Sequence, residues 1–173
     1  MDKTYYIFRH GQTTATLNKR WYWAKFYSAK ILDEGKPSII KLAEYLKQVK
    51  TDFNVCSPFL RCRQTAEIVS EVTGKVFVFD SRIKEYSLEL PWTFKRRLLN
   101  FVKDMETSKH TKILICTHAI DIEMLIQYLQ NGRIHLWERV TAPLPGVLTI
   151  ITNKKSTVVN FNTPDSHPKV KKL

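Results

Sequence analysis

The sequence predicts an α/β fold, a three-layer α/β/α sandwich around a mostly parallel central sheet, and three observations lead there. Short β-branched and aromatic runs alternate with amphipathic helical runs along most of the chain, the pattern of βαβ units. One strand-like run, TKILICT at 111 to 117, is apolar at most positions, as a strand covered on both faces must be. His10, Ser57 and His118 each follow such a run directly, where open α/β sheets gather their ligands.

Taken in order, residues 4 to 8 (TYYIF) read as a strand that stops at Arg9-His10-Gly11. Pro37 suits an early helix position, and Ile39, Ile40, Leu42, Ala43 and Leu46 follow at helical spacing. A second strand, FNVC at 53 to 56, runs into Ser57-Pro58; Ala66, Ile68, Val69 and Val72 then mark a helix ended by Gly74. KVFVF at 75 to 79 reads as a third strand and 111 to 117 as a fourth, separated by a helix over 92 to 107 with Phe94, Leu98, Phe101, Val102 and Met105 inward. Another helix is expected over 119 to 130. VLTII at 147 to 151 and TVVNF at 157 to 161 flank Asn153-Lys154-Lys155-Ser156 as a hairpin.

One domain is expected over 1–163, without internal repeats, followed by a basic, flexible tail over 164–173. With 43% hydrophobic and 25% charged residues, the composition is that of a globular chain rather than a disordered one. No apolar run approaches the roughly 18 residues of a membrane span, and the N-terminus is too short and polar for a signal peptide, so a cytoplasmic location is expected. Cys56, Cys62 and Cys116 are an odd number and read as buried, unpaired thiols. The net charge of +12 favours anionic partners, whether phosphorylated metabolites, phosphoproteins, nucleic acid or acidic membrane, without choosing among them.

Three blocks carry the candidate chemistry: Arg9-His10-Gly11-Gln12-Thr13, the run from Ser57 through Arg61 to Ala66, and Ile113 to His118. A neutral imidazole can accept a phosphoryl group, splitting one hard step into two, and cationic neighbours keep it unprotonated. Arg9 and Arg61 offer planar, permanently charged forks that suit phosphate oxygens, and His118 offers a further hydrogen bond. A cysteine-based site would need five residues between Cys and Arg; counted from Cys56 that place is Cys62, and Arg61 falls one short. No H-x-x-x-H pair or Cys/His cluster is present, so neither metal nor cofactor is expected.

These blocks, in this order, resemble the histidine phosphatase superfamily, which also contains the phosphoglycerate mutases, over about residues 3 to 130. The resemblance implies His10 as phosphate acceptor, Arg9 and Arg61 as phosphate ligands, and His118 as the second histidine of the pocket. It implies Glu85 as the acid that protonates the leaving oxygen, with Glu89 the substitute. Where the family often carries an Asn phosphate ligand this chain has Thr16, with Asn18 nearby, and both are candidates. The usual Gly after the second His is Ala119, and a Gly-rich wall is replaced by Tyr86 to Trp92.

Only 32 residues separate Glu85 from His118, too few for the long cap of the family's mutases, so a shallow, open site is expected. The function implied is a metal-independent phosphatase acting on a phosphomonoester or phosphohistidine. A mutase-type phosphotransferase and a degenerate basic module that binds phosphate or nucleic acid are the alternatives. Trp21-Tyr22-Trp23, between Lys19, Arg20 and Lys25, reads as local packing or the lining of a substrate mouth. Lys95, Arg96 and Arg97, like Lys19 and Arg20, read as solvated faces.

Overall fold

The computed structural model describes residues 2–18, 22, 26–135, 143–162 and 169–172. Strands β1 (Thr4–Arg9), β2 (Phe53–Cys56), β3 (Val78–Phe79) and β4 (Lys112–Thr117) are joined by helices α2 (Lys36–Lys47), α3 (Leu60–Thr73) and α4 (Pro91–Thr107). A single turn of helix, α1 (Thr14–Leu17), follows β1; α5 (Ala119–Asn131) leads from β4 to the hairpin β5 (Val147–Thr152) and β6 (Lys155–Asn160), and β7 (Lys169–Lys172) closes the sheet. The seven strands lie in the order β3-β2-β4-β1-β5-β6-β7. The first four named there run parallel, and β5, β6 and β7 continue the sheet antiparallel from β1.

The strand pleat sorts the core onto two faces. Tyr5, Ile7, Ile113 and Ile115 face α4 and α5, where Phe94, Leu98, Phe101, Ile122 and Leu125 meet them. Phe8, Leu114 and Cys116 face α2 and α3, against Ile39, Leu42, Leu46 and Val69. This is the expected three-layer α/β arrangement. Gly74 (φ +71°) and Gly132 (φ +73°) end α3 and α5 in the left-handed conformation that a side chain would resist.

Chain direction reverses across the β4–β1 boundary. From β1 the chain steps over β4 to β2 and on to β3, then returns to β4 on the other face and passes over β1 to β5. Such a reversal leaves a crevice beyond the strands' carboxyl ends. β1 and β4 pair in register from Thr4↔Lys112 to Arg9↔Thr117, so the next residues, His10 and His118, emerge side by side. The His10 amide still donates to the Thr117 carbonyl (3.1 Å), and the Ser57 amide to that of Cys116 (2.9 Å).

The expected third strand is shorter than 75 to 79. Only Val78 and Phe79 pair with β2, at the sheet's edge, and Val76 is 80% exposed, so the apolar run has no second layer to cover it. At the other edge, Lys169–Lys172, in the stretch expected to be a flexible tail, forms β7 on β6. Trp21, Trp23, Lys19, Arg20 and Lys25 lie outside the described residues. The hairpin turn is tighter than expected: Thr152 pairs directly with Lys155, leaving Asn153 (φ +50°) and Lys154 (φ +65°) as a two-residue loop.

Asn tolerates that backbone; Lys does so at a cost of about 1 kcal/mol. Lys154→Gly is expected to raise stability by about that amount in urea unfolding. A lowered midpoint would contradict the turn geometry.

Candidate functional site

Arg61 organises the site. It enters in the first turn of α3 and is completely buried, the largest side chain among the described residues to be so. Its Nε donates to His10 Nε2 (3.3 Å) and Nη2 to His118 Nδ1 (3.2 Å), while Nη2 also pairs with Glu85 Oε2 and Nη1 donates to the Phe26 carbonyl. The Arg61 guanidinium lies 4.2 Å from the centre of the Tyr22 ring and 5.1 Å from that of Phe59. The hydrogen bonds join α3 to four different segments.

The hydrogen bonds assign the tautomer of each histidine. His10 Nδ1 meets the Gly11 carbonyl at 2.8 Å; a carbonyl only accepts, so Nδ1 carries the hydrogen and Nε2 presents its lone pair toward Arg61. His118 Nδ1 accepts from Arg61, so its Nε2–H donates to Ser57 Oγ at 2.7 Å. The two rings stand 5.2 Å apart. Burial holds His10 well below the ordinary imidazole range; His118, Arg9 and Arg61 push in the same direction, against the nearby Cys62. Sequence reasoning had assigned that work to the cations alone.

Arg9 is half-buried beside this cluster, with Nη1 3.4 Å from the Pro143 carbonyl. Its Nε is buried and has no partner among the described residues, so one planar donor is still unspent. Glu85, 8% exposed, completes the group that the structure brings together: Arg9, His10, Arg61, Glu85 and His118.

Thr16 and Asn18 are not part of it. The Thr16 hydroxyl accepts from the Thr13 amide (2.7 Å) and donates to the Thr13 carbonyl (2.9 Å), capping α1, and the residue lines a separate cavity of about 360 Å³ with Gln12, Lys41, Leu144 and Asn162. Asn18 is the exposed C-cap of α1. Glu89, the alternative acid, is gripped by Arg97 through Nη2–Oε1 (2.6 Å) and Nε–Oε1 and Nε–Oε2 (each 3.1 Å). Arg97 is therefore no solvated surface charge; its side chain is 12% exposed.

The site also differs from the open cleft that chain length suggested. His10, Arg61 and His118 all have zero exposure, under Tyr22, Phe26 and Phe59. Tyr22, whose hydroxyl hydrogen-bonds Thr13 Oγ1 at 2.9 Å, supplies part of that cover. The sequence placed Ser57 at a strand end but not in contact with His118, and Thr65 was missed. Thr65 Oγ1 accepts from the Gly11 amide (2.8 Å) and donates to the Arg61 carbonyl (2.6 Å), tying the loop after β1 to α3. Spacing held a signal for each: Ser57 follows β2 as His10 follows β1, and Thr65 lies one helical turn beyond Arg61.

All three cysteines are free and buried, as expected, and burial pushes the Cys56 and Cys116 thiols up. Among the described residues, no three His, Cys, Asp or Glu side chains stand close enough to hold a metal ion. No helix there is long and apolar enough to cross a membrane.

A buried pair of histidines and a buried arginine stand together at the carboxyl end of the parallel strands, where open α/β sheets take their ligands. The model of the histidine phosphatase superfamily (branch 1) matches residues 5–93, and the chain belongs to that family. No curated protein sequence matches it.

Solved structures share the fold at low identity. The α-ribazole phosphatase of Shigella flexneri superposes with a TM-score of 0.69 at 14% identity, covering 98% of this chain and 95% of its own. A mycobacterial glucosyl-3-phosphoglycerate phosphatase gives 0.71 at 15%, covering 99% and 97%. The protein histidine phosphatase SixA, in complex with tungstate, gives 0.60 at 16%, covering 97% and 94%.

Asp121, in the first turn of α5, is wholly buried, and its Oδ2 has no partner among the described residues. Burial raises it well above the ordinary carboxyl range, with Arg97 opposing and Glu85 reinforcing. Its neutral form therefore supports the fold most fully below about pH 4, and that support is lost as pH rises toward the raised value. Asp121→Asn, which cannot ionise, is expected to gain melting temperature over the wild type between pH 5 and pH 8. A difference that stays constant with pH would contradict the assignment.

Proposed function

We propose that this protein is a phosphatase that carries a phosphoryl group on His10 Nε2 on its way from a phosphomonoester or phosphohistidine to water. The observation behind this reading is the Nδ1–H to Gly11 carbonyl bond, which leaves the Nε2 lone pair facing Arg61, whose Nε donates to it at 3.3 Å, with the His118 ring 5.2 Å away. In the first step the bond from phosphorus to the leaving atom breaks as the Nε2–P bond forms, and an alkoxide leaving group takes its proton from Glu85. In the second, water attacks phosphorus, gives its proton to Glu85, and the N–P bond breaks. Arg61, Arg9 and His118 balance the charge on the three equatorial oxygens.

Glu85 is suited to this cycle by its partner. Its Oε2 pairs with Arg61 Nη2, part of the fork that would hold the phosphate, so the carboxyl stands beside the place of the leaving atom. The fold relatives' names cover an α-ribazole phosphate, a glucosyl-phosphoglycerate and a protein phosphohistidine, so the fold does not choose the substrate.

His10→Ala is expected to abolish release of phosphate and the acid-labile phosphoenzyme trapped by rapid quench, with the fold retained. Activity above a few per cent of wild type would sink the covalent route. Transfer of phosphate to another hydroxyl of the substrate, without release, would favour the mutase alternative. No turnover of any phosphoester or phosphohistidine peptide would favour the binding module.

Glu85→Gln is expected to slow an alkyl phosphate by about 10² to 10⁴-fold in kcat/KM but p-nitrophenyl phosphate far less, since that phenolate leaves unaided. Equal slowing of both would assign Glu85 to positioning rather than proton transfer.

A further inference from the structure

Glu85 rides on a segment without regular structure beyond the short 3₁₀ turn at Ser81–Ile83, yet the reading above needs its carboxyl in register with Arg61 and a leaving oxygen. The segment is pinned from two sides. From β4, Thr117 Oγ1 donates to the Ile83 carbonyl (2.7 Å). From α4, Arg97 Nη1 donates to the Arg82 carbonyl (2.6 Å), while Nε and Nη2 take both oxygens of Glu89. Nη1 also lies 3.5 Å from Asp121 Oδ1, three residues beyond His118, and the guanidinium packs 4.8 Å from the centre of the Phe94 ring. Arg97 therefore spans Glu85 in sequence, holding the chain three residues before it and four after.

We propose that Arg97 is a positioning residue for the acid step: it clamps Arg82 and Glu89 so that Glu85 stands where it can serve the leaving oxygen. Glu89 is thereby kept as a structural anion. The proposal rests on Glu85 being the acid.

A nearly buried ion pair returns little net stability once desolvation is counted, whereas a planar fork on a carboxylate fixes position and angle closely. Among the described residues no such fork holds Glu85 except Arg61, which a substrate phosphate would claim, so during the reaction the clamp on its segment is what locates the carboxyl.

The test is a double-mutant cycle read as the ratio of kcat/KM for glycerol 3-phosphate to that for p-nitrophenyl phosphate. Arg97→Gln is expected to lower this ratio about 10- to 100-fold, the usual cost of misplacing a catalytic group by an ångström, and Arg97→Lys to restore part of it. In the Glu85→Gln background, Arg97→Gln is expected to leave the ratio unchanged. Since Arg97→Gln strands Glu89 without its cation, Arg97→Gln/Glu89→Gln, which removes both charges, serves as the folded comparison and is expected to show the same lowered ratio.

A folded double variant with the wild-type ratio would overturn the clamp, as would equal loss on both substrates or an undiminished effect in the Glu85→Gln background. If Glu85→Gln alone leaves the ratio untouched, the acid reading itself fails and takes the proposal with it, an outcome distinct from failure of the clamp.

Discussion

The buried guanidinium of Arg61 is the constraint on which the rest of the site depends. Taking a cation wholly out of water costs several kcal/mol unless each of its donors finds a partner. Here the partners are drawn from four separate segments: His10 after β1, Phe26 in the covering loop, Glu85 in the wall and His118 after β4. None can move far without stranding a buried charge, so one desolvated side chain holds both histidines, Glu85 and the cover in place. A phosphate is the natural substitute partner, with enough oxygens to replace the donors' present acceptors.

Much of this was legible in the sequence because it is periodic or local. The β1 and β4 runs, the helices α2 to α5 and their Gly74 stop follow from apolar spacing and turn chemistry, and the places of His10 and His118 follow from strand ends. What escaped depends on contacts across long stretches of chain, such as Arg61 to Phe26 and Ser57 to His118, which no spacing rule registers. Arg97 looked like one more cation in a basic run. Its burial follows from a place on α4 that turns it toward Glu89 and Asp121, which only the packed wall reveals.

Thr16 shows the limit of a family pattern. At that position this chain carries a hydroxyl, shorter than an Asn amide, and the hydroxyl caps α1. The expected open cleft failed for a related reason. Chain length between Glu85 and His118 limits what can be inserted there, but the cover comes from elsewhere, from Tyr22 and Phe26 in the segment after α1.

The two histidines and the rest of the site are anchored in different ways. His10 and His118 extend a continuous ladder of parallel backbone pairing, from Thr4↔Lys112 to Arg9↔Thr117, at the centre of a sheet packed on both faces. Glu85 and the cover are borne by loops. Hydrogen exchange should divide along the same line, with the β1 and β4 amides released only by global unfolding and those around Tyr86 to Glu89 by local opening. A lineage of such proteins can therefore remodel the mouth loop by loop, gaining or losing substrates, while the distance between the two imidazoles is inherited intact from the backbone.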